Sequence, residues 1–170
     1  MGSRGVVPRV EPEDPEATLR DRGAQGRRRR ILVADDDPDT RALYAWGLRA
    51  AGWFVTEAAD GFEAVAMAAA LRPHAIVMDL CMPGLGGADA VVCLKRDART
   101  KAIPVVACSG LDPVRAEPCA HEAGCDAFVA KPCSPDDLCD LLEKVTSHRP
   151  HQSAPTLELA LVHADGPRRR

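Results

Sequence analysis

Aromatic side chains are scarce in this chain of 170 residues: three Phe, two Trp and one Tyr, or 4% of the total. With hydrophobic residues at 46%, the core must be mostly Ala, Val, Leu and Ile. No apolar run approaches the roughly 18 uninterrupted residues of a membrane-spanning helix. The N-terminus has no apolar segment of the kind that directs secretion, so a cytoplasmic protein is expected. CxxC is missing too. The seven cysteines are odd in number, and Cys119/Cys125 and Cys133/Cys139 lack the usual zinc-ligand spacing. Most cysteines are therefore expected to serve as small buried hydrophobes.

Net charge is only −3, but it is unevenly spread. Residues 31–148 carry ten Lys/Arg against eighteen Asp/Glu, which leaves twelve basic and seven acidic residues in the flanks. Residues 1–29, with Pro8, Pro12, Pro15 and several glycines, read as a disordered basic tail. Residues 149–170 read as a second disordered tail. The Arg27-Arg28-Arg29-Arg30 run has three readings: a solvated lead-in to the first strand, an electrostatic handle for nucleic acid or membrane, or a docking element. No helix-turn-helix or aromatic stacking motif accompanies it, which argues against sequence-specific DNA binding.

What the chain does have is four short apolar runs that each end on a polar residue. Ile31-Leu32-Val33-Ala34 runs into Asp35-Asp36-Asp37, and Ala75-Ile76-Val77-Met78 into Asp79. Pro104-Val105-Val106-Ala107-Cys108 delivers Ser109, and Ala127-Phe128-Val129-Ala130 delivers Lys131-Pro132. Such runs read as buried parallel strands, and in an open α/β sheet the ligand crevice lies beyond the strands' carboxyl ends. Carboxylates, a hydroxyl and an ammonium would meet there, a set suited to one divalent cation and one phosphoryl group.

Helical patterns alternate with the strands. After Pro38, a residue type suited to the first helical turn, the spacing puts Leu43, Trp46, Gly47 and Ala50 on one face. Trp53 to Glu57 reads as a short second strand. A second helix from Asp60-Gly61 to Leu71 is expected to turn Phe62, Val65, Ala66 and Ala69 inward. The third helix is expected from Ala88 to about Asp97, the fourth from Asp112-Pro113 to near Gly124. Ser134-Pro135-Asp136-Asp137 reads as a capped start for a fifth, with Leu138, Leu141, Leu142 and Val145 inward. The α/β pattern implies a doubly wound (βα)5 domain with a five-stranded parallel sheet.

With ILVADDDPDTR, AIVMDLCMPGLGG, PVVACSG and AFVAKP in this order, the stretch 30–148 resembles the receiver domain of bacterial two-component response regulators. The resemblance implies a flavodoxin-like sheet of order 2-1-3-4-5. It makes Asp79 the phosphoacceptor and Asp35, Asp36, Asp79 and the backbone carbonyl of Cys81 the Mg²⁺ ligands. Ser109 and Phe128 become the switch pair, and Lys131 the phosphate-pairing lysine, followed by a cis peptide before Pro132. In chemical terms, an aspartyl phosphate needs a carboxylate nucleophile, and clustered carboxylates need a cation among them.

The implied partners are a sensor histidine kinase or a histidine phosphotransfer protein, and a downstream protein docking on the face of the fourth helix, fifth strand and fifth helix. A homodimer on phosphorylation is one form that docking could take. Cys81 and Leu111 flank the path of hydrolytic water in the family, and neither orients water strongly, so slow self-dephosphorylation is expected. Gly86 stands where Asp is common. The expected role is a stand-alone phosphoacceptor, not an enzyme: an aspartyl-phosphate hydrolase needs a second acid two residues after the nucleophile, where Cys81 stands. The competing reading is a degenerate or basic-tailed receiver-like module that binds nucleic acid or protein independently of phosphorylation.

Overall fold

Near-continuous apolar strands are stable only where helices cover both faces of their sheet. In the computed structural model, which describes residues 29–147, the strands are β1 (Arg30–Ala34), β2 (Phe54–Ala58), β3 (Ala75–Asp79), β4 (Val105–Ser109) and β5 (Ala127–Ala130). Every pairing is parallel, in the order β2-β1-β3-β4-β5. Between and after them run α1 (Pro38–Ala50), α2 (Gly61–Leu71), α3 (Gly87–Arg96), α4 (Pro113–Ala123) and α5 (Pro135–Ser147). This is the flavodoxin-like doubly wound architecture that the motif order implies. The tails expected at 1–29 and 149–170 lie outside the described residues, except Arg29, and so does the expected domain edge at 148. Among the described residues no helix is long and apolar enough to cross a membrane.

Alternation along each strand splits the core in two. Leu32, Ile76, Met78 and Val105 pack against Ala64 and Ala68 of α2 and Ala90, Val91 and Leu94 of α3. Ile31, Val33, Val77 and Val106 pack on the other face against Tyr44, Ala45 and Leu48 of α1 and Leu138 and Leu142 of α5. Helix starts follow the local chemistry. Asp37 caps α1 by accepting from the N–H groups of Asp39 and Thr40, and Ser134 and Asp137 cap each other's backbone N–H at α5. Gly86 precedes α3 without any side-chain cap.

Four expectations need correction. On α1 the buried residues are Tyr44, Ala45 and Leu48, while Leu43 and Trp46 are exposed, Trp46 at 69%. On α2 the buried residues are Gly61, Ala64 and Ala68, and Phe62 is 66% exposed. On α2 the helix lies close on the sheet, so alanines fit the interface and Phe62 turns out. On α1 the inward face is shifted by one residue, and Tyr44 and Leu48 stand where Leu43 and Gly47 were expected. The cysteines are mostly not core residues, since only Cys108 is buried, Cys81, Cys93 and Cys119 are exposed, and Cys125, Cys133 and Cys139 are half-buried. Strand β2 also begins one residue later than read, and the preceding Trp53 is buried with the guanidinium of Arg29 5.7 Å from its ring centre.

Candidate functional site

The carboxyl ends of β1, β3 and β5 bring Asp35, Asp36, Asp79 and Lys131 together, and Ser109 ends β4 next to them. At the end of β1, Asp35 Oδ1 accepts from the N–H of Asp37 (3.0 Å). Nη1 of Arg41 donates to the carbonyls of Asp35 (2.6 Å) and Asp36 (3.5 Å), which holds the turn. At the end of β3, Asp79 Oδ1 accepts from the N–H of Cys81 (2.9 Å). The chain after Asp79 must then pass α3 closely: a Cβ on Gly87 would stand 1.7 Å from the Asp79 carbonyl oxygen. At β4 and β5, the N–H of Lys131 donates to the carbonyl of Ser109 (2.8 Å), and the Lys131–Pro132 peptide is cis.

Lys131 closes the arrangement. Its Nζ donates to Asp79 Oδ2 at 2.6 Å and to Asp35 Oδ2 at 2.7 Å. Carboxylate oxygens of Asp35, Asp36 and Asp79 lie within 4.8 Å of one another. Asp35 and Asp79 are buried and Asp36 is exposed. Burial pushes the Asp35 carboxyl above the usual carboxylate range, against the opposing hydrogen bond and charge of Lys131. For Lys131 burial acts downward, but hydrogen bonds and charge from Asp35 and Asp79 hold the ammonium above its ordinary value. A fixed positive charge thus sits between two buried carboxylates, while the third stays open to solvent. The donor set is all oxygen, which fits a hard divalent cation that keeps several waters.

The other residues named from the sequence lie on or just after β3, β4 and β5. Ser109 is fully buried, and its Oγ accepts from the N–H of Leu111 (3.2 Å). Phe128, three residues before Lys131, is half-buried against Leu80, Ala107, Ala116 and Ala120. Leu111 and the Cys81 side chain are exposed. A Cβ added at Gly110 would meet nothing within 4 Å, so there is open space at the residue after Ser109. The contact of Arg41 with this turn is not legible in the sequence, because nothing in its spacing says that a side chain six positions after Asp35 reaches back.

A family model for the response regulator receiver domain matches residues 31–143. Among curated relatives, the DNA-binding dual master transcriptional regulator RpaA of Synechocystis is 38% identical over 86 residues, 51% of this chain and 36% of that protein. The match thus spans about a third of that relative's length. A crystal structure of a putative response regulator from Chloroflexus aurantiacus is 26% identical with a TM-score of 0.69, covering 71% of this chain and 99% of the other. The receiver domain of sensor histidine kinase PA1611 from Pseudomonas aeruginosa, solved with a magnesium ion coordinated in its active-site cleft, is 28% identical with a TM-score of 0.66, covering 71% of this chain and 99% of that one.

Proposed function

The chain belongs to the response regulator receiver domain family, and from that premise we propose that Asp79 accepts a phosphoryl group from a sensor histidine kinase or a histidine phosphotransfer protein. The observation that carries this reading is the 2.6 Å contact of Lys131 Nζ with Asp79 Oδ2, beside Asp35 and Asp36. A carboxylate oxygen of Asp79 attacks phosphorus in line as the bond to the donor's imidazole nitrogen breaks. Lys131 pairs with one phosphoryl oxygen as a compact charge, and the Ser109 hydroxyl donates to another.

Asp36, Asp79 and the carbonyl of Cys81 would hold Mg²⁺, with Asp35 in support. Bound there, the ion neutralises charge on the carboxylates and on the transferring oxygens. The magnesium-bound cleft of the PA1611 receiver supports this assignment.

Signalling follows from the same residues. When Ser109 turns toward the phosphoryl oxygens it leaves its contact with the Leu111 N–H, and Phe128, already packed beside Ala107, Ala116 and Ala120, turns into the space that Ser109 vacates. The α4-β5-α5 face, where Val114 is exposed, changes shape and docks a protein partner, a local charge change biasing a two-state element.

Beryllofluoride, a phosphoryl mimic, tests this with Mg²⁺ in a ¹⁵N-resolved titration. The amide signals of Ser109, Phe128 and α4 are expected to move in the wild type and stay in Asp79→Asn. A folded wild type whose signals do not move would overturn the reading.

A further inference from the structure

On the α1/α5 side of the sheet, three side chains unused by the phosphoacceptor chemistry meet. Cys108 Sγ lies 3.7 Å from Cys133 Sγ, and the Tyr44 hydroxyl lies 3.6 Å from the first and 3.2 Å from the second. Cys108 is the residue before Ser109 on β4, and Cys133 follows Lys131-Pro132 after β5. Both thiols are free, Cys108 enclosed and Cys133 half-buried. We propose that Cys108 and Cys133 form a redox modification site that a hydroperoxide converts into an intramolecular disulfide.

The environments assign the roles. Cys133 is the more exposed of the two residues, and its sulfur lies beside the Cys108 thiol and the Tyr44 hydroxyl. The hydrogen bond with Cys108, with help from Tyr44 and against the effect of burial, pulls the Cys133 thiol below its ordinary value. Its hydrogen bond with Cys133 and then burial hold the Cys108 thiol well above its usual range. A thiolate with solvent access is the group that oxidants attack.

The Cys133 sulfur attacks the peroxide: an S–O bond forms, the O–O bond breaks and the departing hydroxide is protonated to water. The Cys108 sulfur then attacks Cys133, the S–S bond forms, and the sulfenic oxygen leaves as a second water with the Cys108 proton. Two thiols lose two electrons and one peroxide gains them.

Closing the bridge brings the sulfurs from 3.7 Å to about 2.05 Å. The bridge ties the residue before Ser109 to the residue after Pro132, across strand ends already joined by the Lys131 N–H to Ser109 carbonyl hydrogen bond. That restricts the Ser109 movement that phosphoryl uptake needs. Oxidation should therefore slow phosphoryl uptake, a consequence that rests on the phosphoacceptor reading, whereas the disulfide does not.

The test treats the full chain with hydrogen peroxide, alkylates the remaining thiols and maps peptides by mass spectrometry. The expected product joins Cys108 to Cys133 with a loss of about 2 Da, is reversed by dithiothreitol, and is absent from Cys133→Ser and Cys108→Ala. Cys133→Ser is the safer variant, because Cys108 is enclosed by the core. Recovery of Cys108 and Cys133 as free thiols while Cys81, Cys93 and Cys119 oxidise would overturn the proposal. Uptake from acetyl phosphate is then compared before and after oxidation. Equal rates would overturn the coupling to the acceptor site. No uptake even in the reduced protein would overturn the phosphoacceptor reading and leave the crosslink result standing.

Discussion

The ammonium of Lys131 lies 2.6 Å from Oδ2 of Asp79, 52 positions earlier in the chain. The pairing fixes a positive charge where a transferred phosphoryl group would develop negative charge. Lys131→Ala should slow phosphoryl uptake by about 100-fold, the scale seen when one preorganised donor is removed. Lys131→Arg should not restore it, because a planar guanidinium does not replace a compact ammonium. Stopped uptake measurements with acetyl phosphate check both.

Three carboxylates share the crevice with this one ammonium. A divalent cation that binds only the folded chain should stabilise it by about 2.7 kcal/mol at 100 times its Kd. Thermal melts with and without Mg²⁺ measure this, and Asp36→Asn should lose most of the shift while remaining folded.

Two glycines near the site should respond in opposite ways. Gly87→Ala drives a Cβ to within 1.7 Å of the Asp79 carbonyl oxygen, a backbone atom with no room to yield. A loss of about 3 kcal/mol or more is expected, at or beyond the upper end for overpacking. Gly110→Ala meets nothing within 4 Å and should melt like the wild type. Denaturant titrations of both variants decide it.

Acid stability has a local contributor at Asp97. The Arg99 side chain, and then the Arg99 N–H, hold its carboxyl down to about 2 from the ordinary 3.8. The folded pKa is depressed, so the stabilisation is present above 3.8 and is lost as pH falls from there toward 2. Asp97→Asn should flatten the pH dependence of Tm in that window, as read from melts between those values.

Much of this was legible in the chain because parallel strands buried on both faces leave continuous apolar runs, and the polar residue ending each run marks the crevice. Asp35, Asp36, Asp79 and Lys131 could be brought together on that basis alone. The phases of α1 and α2 could not. In Gly61–Leu71 nearly every position is apolar or small, so periodicity has no polar face to set the phase. Size then misleads, because Ala64 and Ala68 fit the close helix–sheet contact where Phe62 would not. The Tyr44, Cys108 and Cys133 cluster was invisible for another reason: its contacts join residues 64 and 89 positions apart, and nothing about a cysteine's spacing announces them.

On the proposed phosphoacceptor reading, the phosphoryl lifetime depends on Cys81 and Leu111. Cys81 and Leu111 offer no acid or amide to orient water, so the phosphorylated form should persist for on the order of minutes or longer. Leu111→Glu, at an exposed position, should shorten it. Following the decay of the phosphorylated species after donor removal gives both lifetimes, and a wild-type half-life of seconds would contradict the expectation.

The most direct test is intact mass after incubation with acetyl phosphate and Mg²⁺, for the wild type and Asp79→Asn side by side. A single adduct of about 80 Da, the mass of one phosphoryl group, on the wild type and none on the variant is the predicted result. No adduct on a folded, Mg²⁺-supplied wild type, or an equal adduct on Asp79→Asn, would contradict the assignment of Asp79 as the phosphoacceptor.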